Sequence, residues 1–329
     1  MTEGGAQGRV AVYYLVGVDL GGTKIATALT DTDCQIIKYE SVRTEAARGP
    51  EPIVDQMVSE IQRVTEGLPK ESILGIGVAC AGLIEPGTGK VLYSPNLNWR
   101  DLPLKEMIER QVHPPVYVGN DVNMAALGEL HYGAGIGKNH MVCVFVGTGI
   151  GGGIVINGHL YEGANGFAGE IGHATIDWDG PPCPSGNAGC WEGFASGTAM
   201  QRRTLEALDA GEASMLSDMI HGDPGKMRVE LIAEAAAKGD ALAQRIIAET
   251  GEMLGAGCAN LVNMLNPEQI ILGGGVIRGI PELVDIVDAV VKRRALTDAA
   301  EAVEIVRARF GREAGVIGGA VLAKLAGKP

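Results

Sequence analysis

The sequence predicts an α/β protein of duplicated architecture, folded as two domains. Apolar, β-branched runs such as "YYLVGVDLG", "ILGIGVACAG", "MVCVFVG" and "QIILGGG" alternate with segments of helical periodicity. One plan, strand then glycine turn then strand, occurs twice, in "YYLVGVDLGGTKIATALTD" and again in "MVCVFVGTGIGGGIVINGHLYEG". The length of 329 residues agrees with two domains and a substantial core.

The elements follow in order. The first strand ends in a tight Asp-Leu-Gly-Gly-Thr-Lys turn and is followed by a second strand of small and apolar residues. "PEPIVDQMVSEIQRVTEGLP" is a helix, with Ile53, Met57, Ile61 and Val64 at helical spacing and Gly67 with Pro69 ending the run. In "VYVGNDVNMAALGEL" a short strand leads to a helix for which Asp121 is the N-cap candidate. The glycines Gly147, Gly149 and Gly152 satisfy G-x-G-x-x-G, but a dinucleotide fingerprint must open a helix whose N-terminus receives the pyrophosphate. Here "IVING" follows, a strand ending in the hairpin signal Asn157-Gly158, so the dinucleotide reading fails. "GAGIGKN" has neither the spacing nor the Ser/Thr of a Walker A loop. The long helix "DALAQRIIAETGEMLGAGCANLVNMLNP" carries small residues around Gly255 and Gly257 that allow close helix packing. Strand "EQIIL" then runs into Gly273, Gly274 and Gly275, a glycine-rich strand-to-helix turn.

The formal charge of −13 argues against non-specific attraction to nucleic acid or an anionic membrane. The N-terminal segment lacks the basic and apolar regions of a signal peptide, and glycines and charges interrupt every apolar run before it could span a bilayer. Six cysteines in a chain of this length do not suggest a disulfide framework, and a cytoplasmic protein is expected. Paired glycine turns suit an anionic small molecule instead: their exposed N–H groups form anion-binding concavities, and absent side chains let phosphate oxygens approach. The plain alternative is two ordinary tight hairpins.

Taken in order, "VGVDLGGTK", "SPNLNW", "GNDVNMAALGE", "GTGIGGG", "GEIGH", "CPSGNAGCWE" and "LGGGVI" make the chain resemble the ROK family of sugar kinases and sugar-responsive repressors, and within it the bacterial glucokinases. The resemblance implies an actin-like, hexokinase-type (ribonuclease H-like) fold with a ligand cleft between two domains. A smaller domain would span 10–122 plus 312–329, with the C-terminal helix "REAGVIGGAVLAKLAG" rejoining it, and a larger one 123–311. The family's repressors carry a DNA-binding domain ahead of the first phosphate motif. Only eighteen residues precede Asp19 here, which with the acidic charge favours a kinase.

By resemblance, Asp121 is the general base, and Asn120 beside it holds the sugar. At a helix start the dipole would favour the carboxylate and leave a weak base, which the loose transition state of phosphoryl transfer tolerates. Asn96 is a sugar-side candidate, though an Asn after Pro95 also suits a turn. Glu170, His173 and Glu192 complete the implied ring of hydroxyl partners, since carboxylates with Asn or His match groups that both donate and accept. The nucleotide side is implied to use Gly21, Gly22, Thr23 and Lys24 in the first turn and Gly147, Thr148 and Gly149 in the second. Asp19 would orient Mg2+, and Gly273, Gly274 and Gly275 would lie under the adenosine of ATP. The role of Lys24 is left open.

The family commonly shows C-x-C-G-x-x-G-C-x-E, whose thiolates join the His of the G-H motif around a structural Zn2+. Here Cys183 and Cys190 stand in place, His173 is present, and Ser185 replaces the middle cysteine. Three outcomes compete: zinc retained with water, Asp177 or Asp179 as fourth ligand, zinc bound weakly, or a metal-free loop; the residue choice favours retained zinc. Cys34, Cys80, Cys143 and Cys258 lie in apolar surroundings and are expected in the core.

Glucose, phosphorylated on its 6-hydroxyl by Mg-ATP, is the favoured substrate. N-acetylmannosamine, N-acetylglucosamine, fructose, mannose and allose are alternatives, as are polyphosphate or ADP as donor, because one or two pocket contacts decide among hexoses. A non-catalytic sugar sensor is the reading from another class. By analogy with the family a homodimer or homotetramer is expected, with no nucleic-acid or membrane partner.

Overall fold

The computed structural model describes residues 12–183 and 186–327. It divides into two compact units, Met1–Gly128 with Glu313–Pro329, and Glu129–Arg312. In the first, β1 (Tyr14–Leu20), β2 (Lys24–Asp31) and β3 (Ile36–Arg43) precede α1 (Pro50–Val64), then β4 (Ile73–Cys80). A small antiparallel sheet follows, of β5 (Leu83–Glu85), β6 (Lys90–Ser94) and β7 (Trp99–Leu102). Helix α2 (Leu104–Glu109), β8 (Val116–Asn120) and α3 (Asp121–Tyr132) come next, and α3 runs to the edge of the unit. The second unit holds β9 (Met141–Val146), β10 (Ile150–Ile156) and β11 (His159–Leu160), and then α4 (Trp191–Ala195) and α5 (Gly197–Asp209). Helices α6 (Leu216–Met219), α7 (Val229–Ala237) and α8 (Ala241–Leu265) lead to β12 (Gln269–Gly273). After α9 (Gly274–Gly279), α10 (Leu283–Arg294), α11 (Thr297–Ala302) and β13 (Glu304–Arg307), α12 (Ala314–Ala326) returns to the first unit.

The duplication read from the two glycine turns extends to whole sheets. The larger sheet of the first unit has the order β3-β2-β1-β4-β8, and that of the second β11-β10-β9-β12-β13. In each, the first three strands in sequence pair antiparallel, and the two later strands add in parallel. The Gly147–Gly149 turn joins two strands, as the "IVING" signal requires, and no helix opens there. Asn157 and Gly158 both take positive φ (53° and 74°), the backbone of a type I′ hairpin.

Helix α1 forms where the apolar spacing places it. Gly49 at φ 87° and Pro50 in the first turn open it, and Ile53, Met57, Ile61 and Val64 are all buried. Each such side chain stabilises the unit by about 2 kcal/mol on burial. In α8, the missing side chains at Gly251 and Gly255 admit Ile286 and Val290 of α10, and Gly257 admits the ring of Trp191. The Trp191 indole N–H donates to the carbonyl of Met253 over 2.9 Å, which satisfies its one polar group in the core.

Helix α12 packs on the first sheet backbone against backbone. A Cβ on Gly17 of β1 would run into the carbonyl of Val316, and one on Gly77 of β4 into that of Gly319. On its other flank, a Cβ on Gly318 would meet the carbonyl of Met124 in α3. No helix among the described residues is long and apolar enough to cross a membrane. Cys34, Cys80, Cys143 and Cys258 are buried, as expected of core residues.

Candidate active site

In the first unit, the candidate residues gather at the carboxyl ends of three parallel strands. Asp19 of β1 pairs with Ala79 of β4, and Cys80 of β4 pairs with Asn120 of β8. Open α/β sheets offer ligands this end, where strand-to-helix and strand-to-strand turns expose backbone N–H groups.

Asp121 is the first residue of α3, and the cap is Asn120. This corrects the N-cap expectation for Asp121. The Asn120 Oδ1 accepts the N–H groups of Val122 and Asn123, each at 3.0 Å, as a capping side chain does. Its Nδ2 donates to the Gly82 carbonyl and to Asp121 Oδ1, again at 3.0 Å. Asn120 thus terminates the strand, starts the helix and orients the neighbouring carboxylate.

Desolvation raises the pKa of Asp121 above the ordinary aspartate value, outweighing the Val122 N–H, its own N–H and the Asn120 amide, which favour the anion. The expectation of a weak base held down by the helix start is therefore corrected: loss of water wins over the helix end. Asp19 is raised to about 6, first by desolvation and then by the charge of Asp121, with Lys24 opposing. Two desolvated carboxylates, one of them raised further by the charge of the other, are a site short of positive charge. Hard oxygen donors with that deficit fit Mg2+, which binds through few protein carboxylates. Lys24, left without a role by the sequence, supplies the positive charge that acts on Asp19. Burial, then Asp121 and Asp19, push the Cys80 thiol up, so it is no nucleophile near neutral pH.

The first glycine turn is closed by Gly21 N–H donating to the Lys24 carbonyl (2.9 Å) and is held from outside by Thr44, whose Oγ1 donates to the Gly21 carbonyl (2.8 Å). Gly22 abuts Asn96: a Cβ there would lie 2.9 Å from the Asn96 carbonyl oxygen. Asn96 sits in the turn closed by Asn98 N–H on Pro95. It lines an open pocket of about 320 Å³ with Ala46, Ala47, Gly49, Asn98 and Trp99. Asp19, Asn120, Asp121, the first turn and Asn96 are thus brought together within this unit.

The second unit carries the other candidates. Its turn is closed by Gly147 N–H on the Gly149 carbonyl (2.9 Å) and tied to the start of α5 by Gly197 N–H on Gly147 and the Thr198 hydroxyl on Thr148 (both 2.9 Å). A Cβ on Gly147 would meet no protein atom within 4 Å, so the outer face of the turn is open to a ligand. Glu192, read from sequence as a sugar partner, accepts the Ile150 N–H at 2.8 Å and so belongs structurally to the phosphate turn as well. Gly274, at φ 92°, packs onto the backbone of Val146 and Gly273 onto Phe145, whereas Gly275 meets only Arg278 at 3.8 Å. Packing accounts for the first two glycines of that triplet; at Gly275 a side chain would meet only an ordinary contact, so packing does not require its absence.

Glu170 precedes the short helical turn Ile171–His173, and its carboxylate lies 3.8 Å from His173 Nε2. The other ring nitrogen, Nδ1, is 3.5 Å from Cys183 Sγ. Cys183 and Cys190 are joined as a disulfide, where the sequence led us to expect two thiolates. The backbone brings them together through bridges between Pro182 and Ala188 and between Thr175 and Cys190. Ligand atoms of His173, Cys183 and Cys190 lie within 4.8 Å of one another. As a disulfide the pair offers zinc no thiolate; reduced, it supplies with His173 three of the four ligands of a structural site. Ser185 lies outside the described residues.

Sequence reasoning missed Glu129. Its fully buried carboxylate accepts the N–H groups of Ala134 (2.8 Å), Arg309 (3.1 Å) and Phe310 (2.8 Å). It also missed Thr44 and the approach of α12 to Asp19. In each case the partner lies far along the chain.

A model described as the ROK family matches residues 15–326. The chain is 38% identical to a glucokinase of Halalkalibacterium halodurans, over 94% of this chain and 95% of that one. It is 33% identical to the xylose repressor of Bacillus spizizenii, over 93% of this chain and 75% of the repressor. Among solved structures, a ROK family glucokinase from Streptomyces griseus in complex with glucose and AMPPNP superposes with a TM-score of 0.84, at 35% identity, covering 95% of this chain and 99% of that one.

Proposed function

The chain belongs to the ROK family of sugar kinases and regulators, and within it we propose an ATP-dependent glucokinase that phosphorylates the 6-hydroxyl of glucose. The observation that carries this is the Asn120–Asp121 pair: a carboxylate of raised pKa, oriented by its neighbour's amide, at the start of a helix and beside a second acid. A general base works best when its pKa approaches the operating pH, and desolvation moves Asp121 in that direction.

In this reading Asp121 takes the proton of the attacking hydroxyl. Asn96, Asn120, Glu170, His173 and Glu192 bind the remaining hydroxyls. The turns Gly21–Lys24 and Gly147–Gly149 receive the phosphates through backbone N–H groups, and Gly273–Gly275 the adenosine. Asp19 holds Mg2+, which when bound neutralises charge on the transferred group. Reduced Cys183 and Cys190 with His173 hold Zn2+ and fix the loop between Glu170 and Glu192. A homodimer or homotetramer is the proposed assembly. The similarity to glucokinases over nearly the full length supports glucose over N-acetylmannosamine, N-acetylglucosamine, mannose, fructose and allose.

The test is a hexose panel with ATP, ADP and polyphosphate as donors. Glucose with ATP is expected to give the highest kcat/KM. Preference for another hexose would replace the substrate, and no turnover with any hexose, alongside measurable sugar binding, would support a non-catalytic sugar sensor instead.

A further inference from the structure

Helix α12 contains no candidate catalytic group, yet it packs on β1, which carries Asp19, on its neighbour β4, and on α3, which Asp121 opens. Val316 lies on Gly17 of β1, two residues before Asp19, and Gly319 lies on Gly77 of β4, three residues before Cys80. Gly318 lies on Met124 of α3, the helix that Asp121 opens. At the N-terminal turn of α12, Gly315 faces Asp19 itself. A Cβ on Gly315 would lie 2.6 Å from Asp19 Cγ and 2.9 Å from its Oδ1. No real side chain could occupy that space without displacing the carboxylate, whose atoms are the far end of a short two-bond side chain on a strand. Gly315 has no positive φ that would demand glycine, so the close approach is the reason for its missing side chain.

We propose that Gly315 is a positioning residue for Asp19: by leaving room for the carboxylate against the first turn of α12, it sets the direction in which Asp19 meets the divalent cation that accompanies the nucleotide. This rests on the reading of Asp19 as the cation's partner. The rest of the glycine stripe fixes where α12 lies, and Gly315 converts that placement into the orientation of one acid. The two roles are separable because Gly319 makes an equally close backbone contact, 2.5 Å from a built Cβ to the Gly77 carbonyl oxygen, with no candidate acid beside it.

The test compares Gly315→Ala with Gly319→Ala and Asp19→Asn in the full chain, by calorimetric binding of Mg2+ with a non-hydrolysable ATP analogue and by thermal melting. Gly315→Ala and Asp19→Asn are both expected to weaken Mg2+-dependent binding at least tenfold. Gly319→Ala is expected to melt earlier while keeping that affinity within twofold. Wild-type affinity in Gly315→Ala, with Asp19→Asn weakened, would overturn the positioning role alone. Unchanged affinity in Asp19→Asn would remove the cation reading of Asp19 and this inference with it. Should Gly315→Ala fail to fold, Asp19→Glu probes the same contact from the other side: its extra methylene has no room against Gly315, so the same loss is expected, and wild-type affinity would count against the proposal.

Discussion

The backbone N–H of Ile150 donates to the carboxylate of Glu192 across 2.8 Å, so a residue proposed for the sugar is fastened to the turn proposed for the nucleotide. A Cβ on Gly149 would strike that same carboxylate. Gly149→Val is therefore expected to raise KM for both ATP and the hexose, each by about tenfold, the scale of losing one charge-assisted hydrogen bond. Steady-state kinetics with each substrate varied in turn checks this. A change confined to ATP would mean that Glu192 serves the turn only.

The two acids of the first unit make stability and function pull apart. Asp19 has a folded-state pKa of about 6 against an ordinary 3.8, so the protonated form is the one the fold favours. Its contribution to stability is fully present below the unfolded value and is lost as pH rises through about 6. In ligand-free protein, Asp19→Asn is expected to raise Tm by a few degrees at pH 7.5, with the gap closing as pH falls below 6. The same acid must be ionised to meet Mg2+, so kcat/KM should fall on the acid side as Asp19 takes up its proton. Melting curves across pH 4.5–8 test the sign; a Tm lowered by Asp19→Asn at pH 7.5 would contradict it.

Glu129 holds three backbone N–H groups, that of Ala134 nearby and those of Arg309 and Phe310, 180 and 181 residues along the chain from it. Glu129→Gln replaces an acceptor of both oxygens by an amide whose NH2 faces donors. The expected cost is about 3 kcal/mol, from weakened bonds to a charged acceptor and a buried donor left unpaired. Denaturant unfolding measures it, and a loss below about 0.5 kcal/mol would mean the clamp carries no stability.

The parts of this molecule written in short stretches of sequence could be read there. The two glycine hairpins, the apolar spacing of α1 and the Asn157-Gly158 turn are local signals, and each element stands where its signal put it. Glu129 gave none, because its partners at Arg309 and Phe310 are joined to it only by the fold. Asn120 and Asp121 compete for the same capping position, and sequence order alone does not say which side chain turns back onto the helix. The rise in the Asp121 pKa was misjudged for a related reason: desolvation depends on what surrounds the carboxylate, whereas the helix start is visible in the sequence. Gly315 reads as one more small residue in "REAGVIGGAVLAKLAG" until β1 brings Asp19 against it.

The Cys183–Cys190 pair yields a redox-dependent expectation for the metal. Protein purified under reducing conditions is expected to hold about one zinc per chain, lost when the thiols are oxidised to the disulfide, because metal binding requires thiolates. Elemental analysis together with mass spectrometry after alkylation reads both states. Well under one zinc per chain in fully reduced protein would remove the zinc proposal and leave His173 held by its neighbours, with Glu170 at 3.8 Å.

In the proposed reaction Asp121 takes the proton from the sugar hydroxyl. Asp121→Asn preserves shape and the reach to Asn120 while removing the acceptor, so kcat with glucose and ATP should fall by about a thousandfold or more, the scale of general base catalysis. Calorimetric affinity for glucose should stay within about threefold of wild type, because the amide keeps the contact that binding uses. A variant that turns over at a rate comparable to the parent would contradict the account.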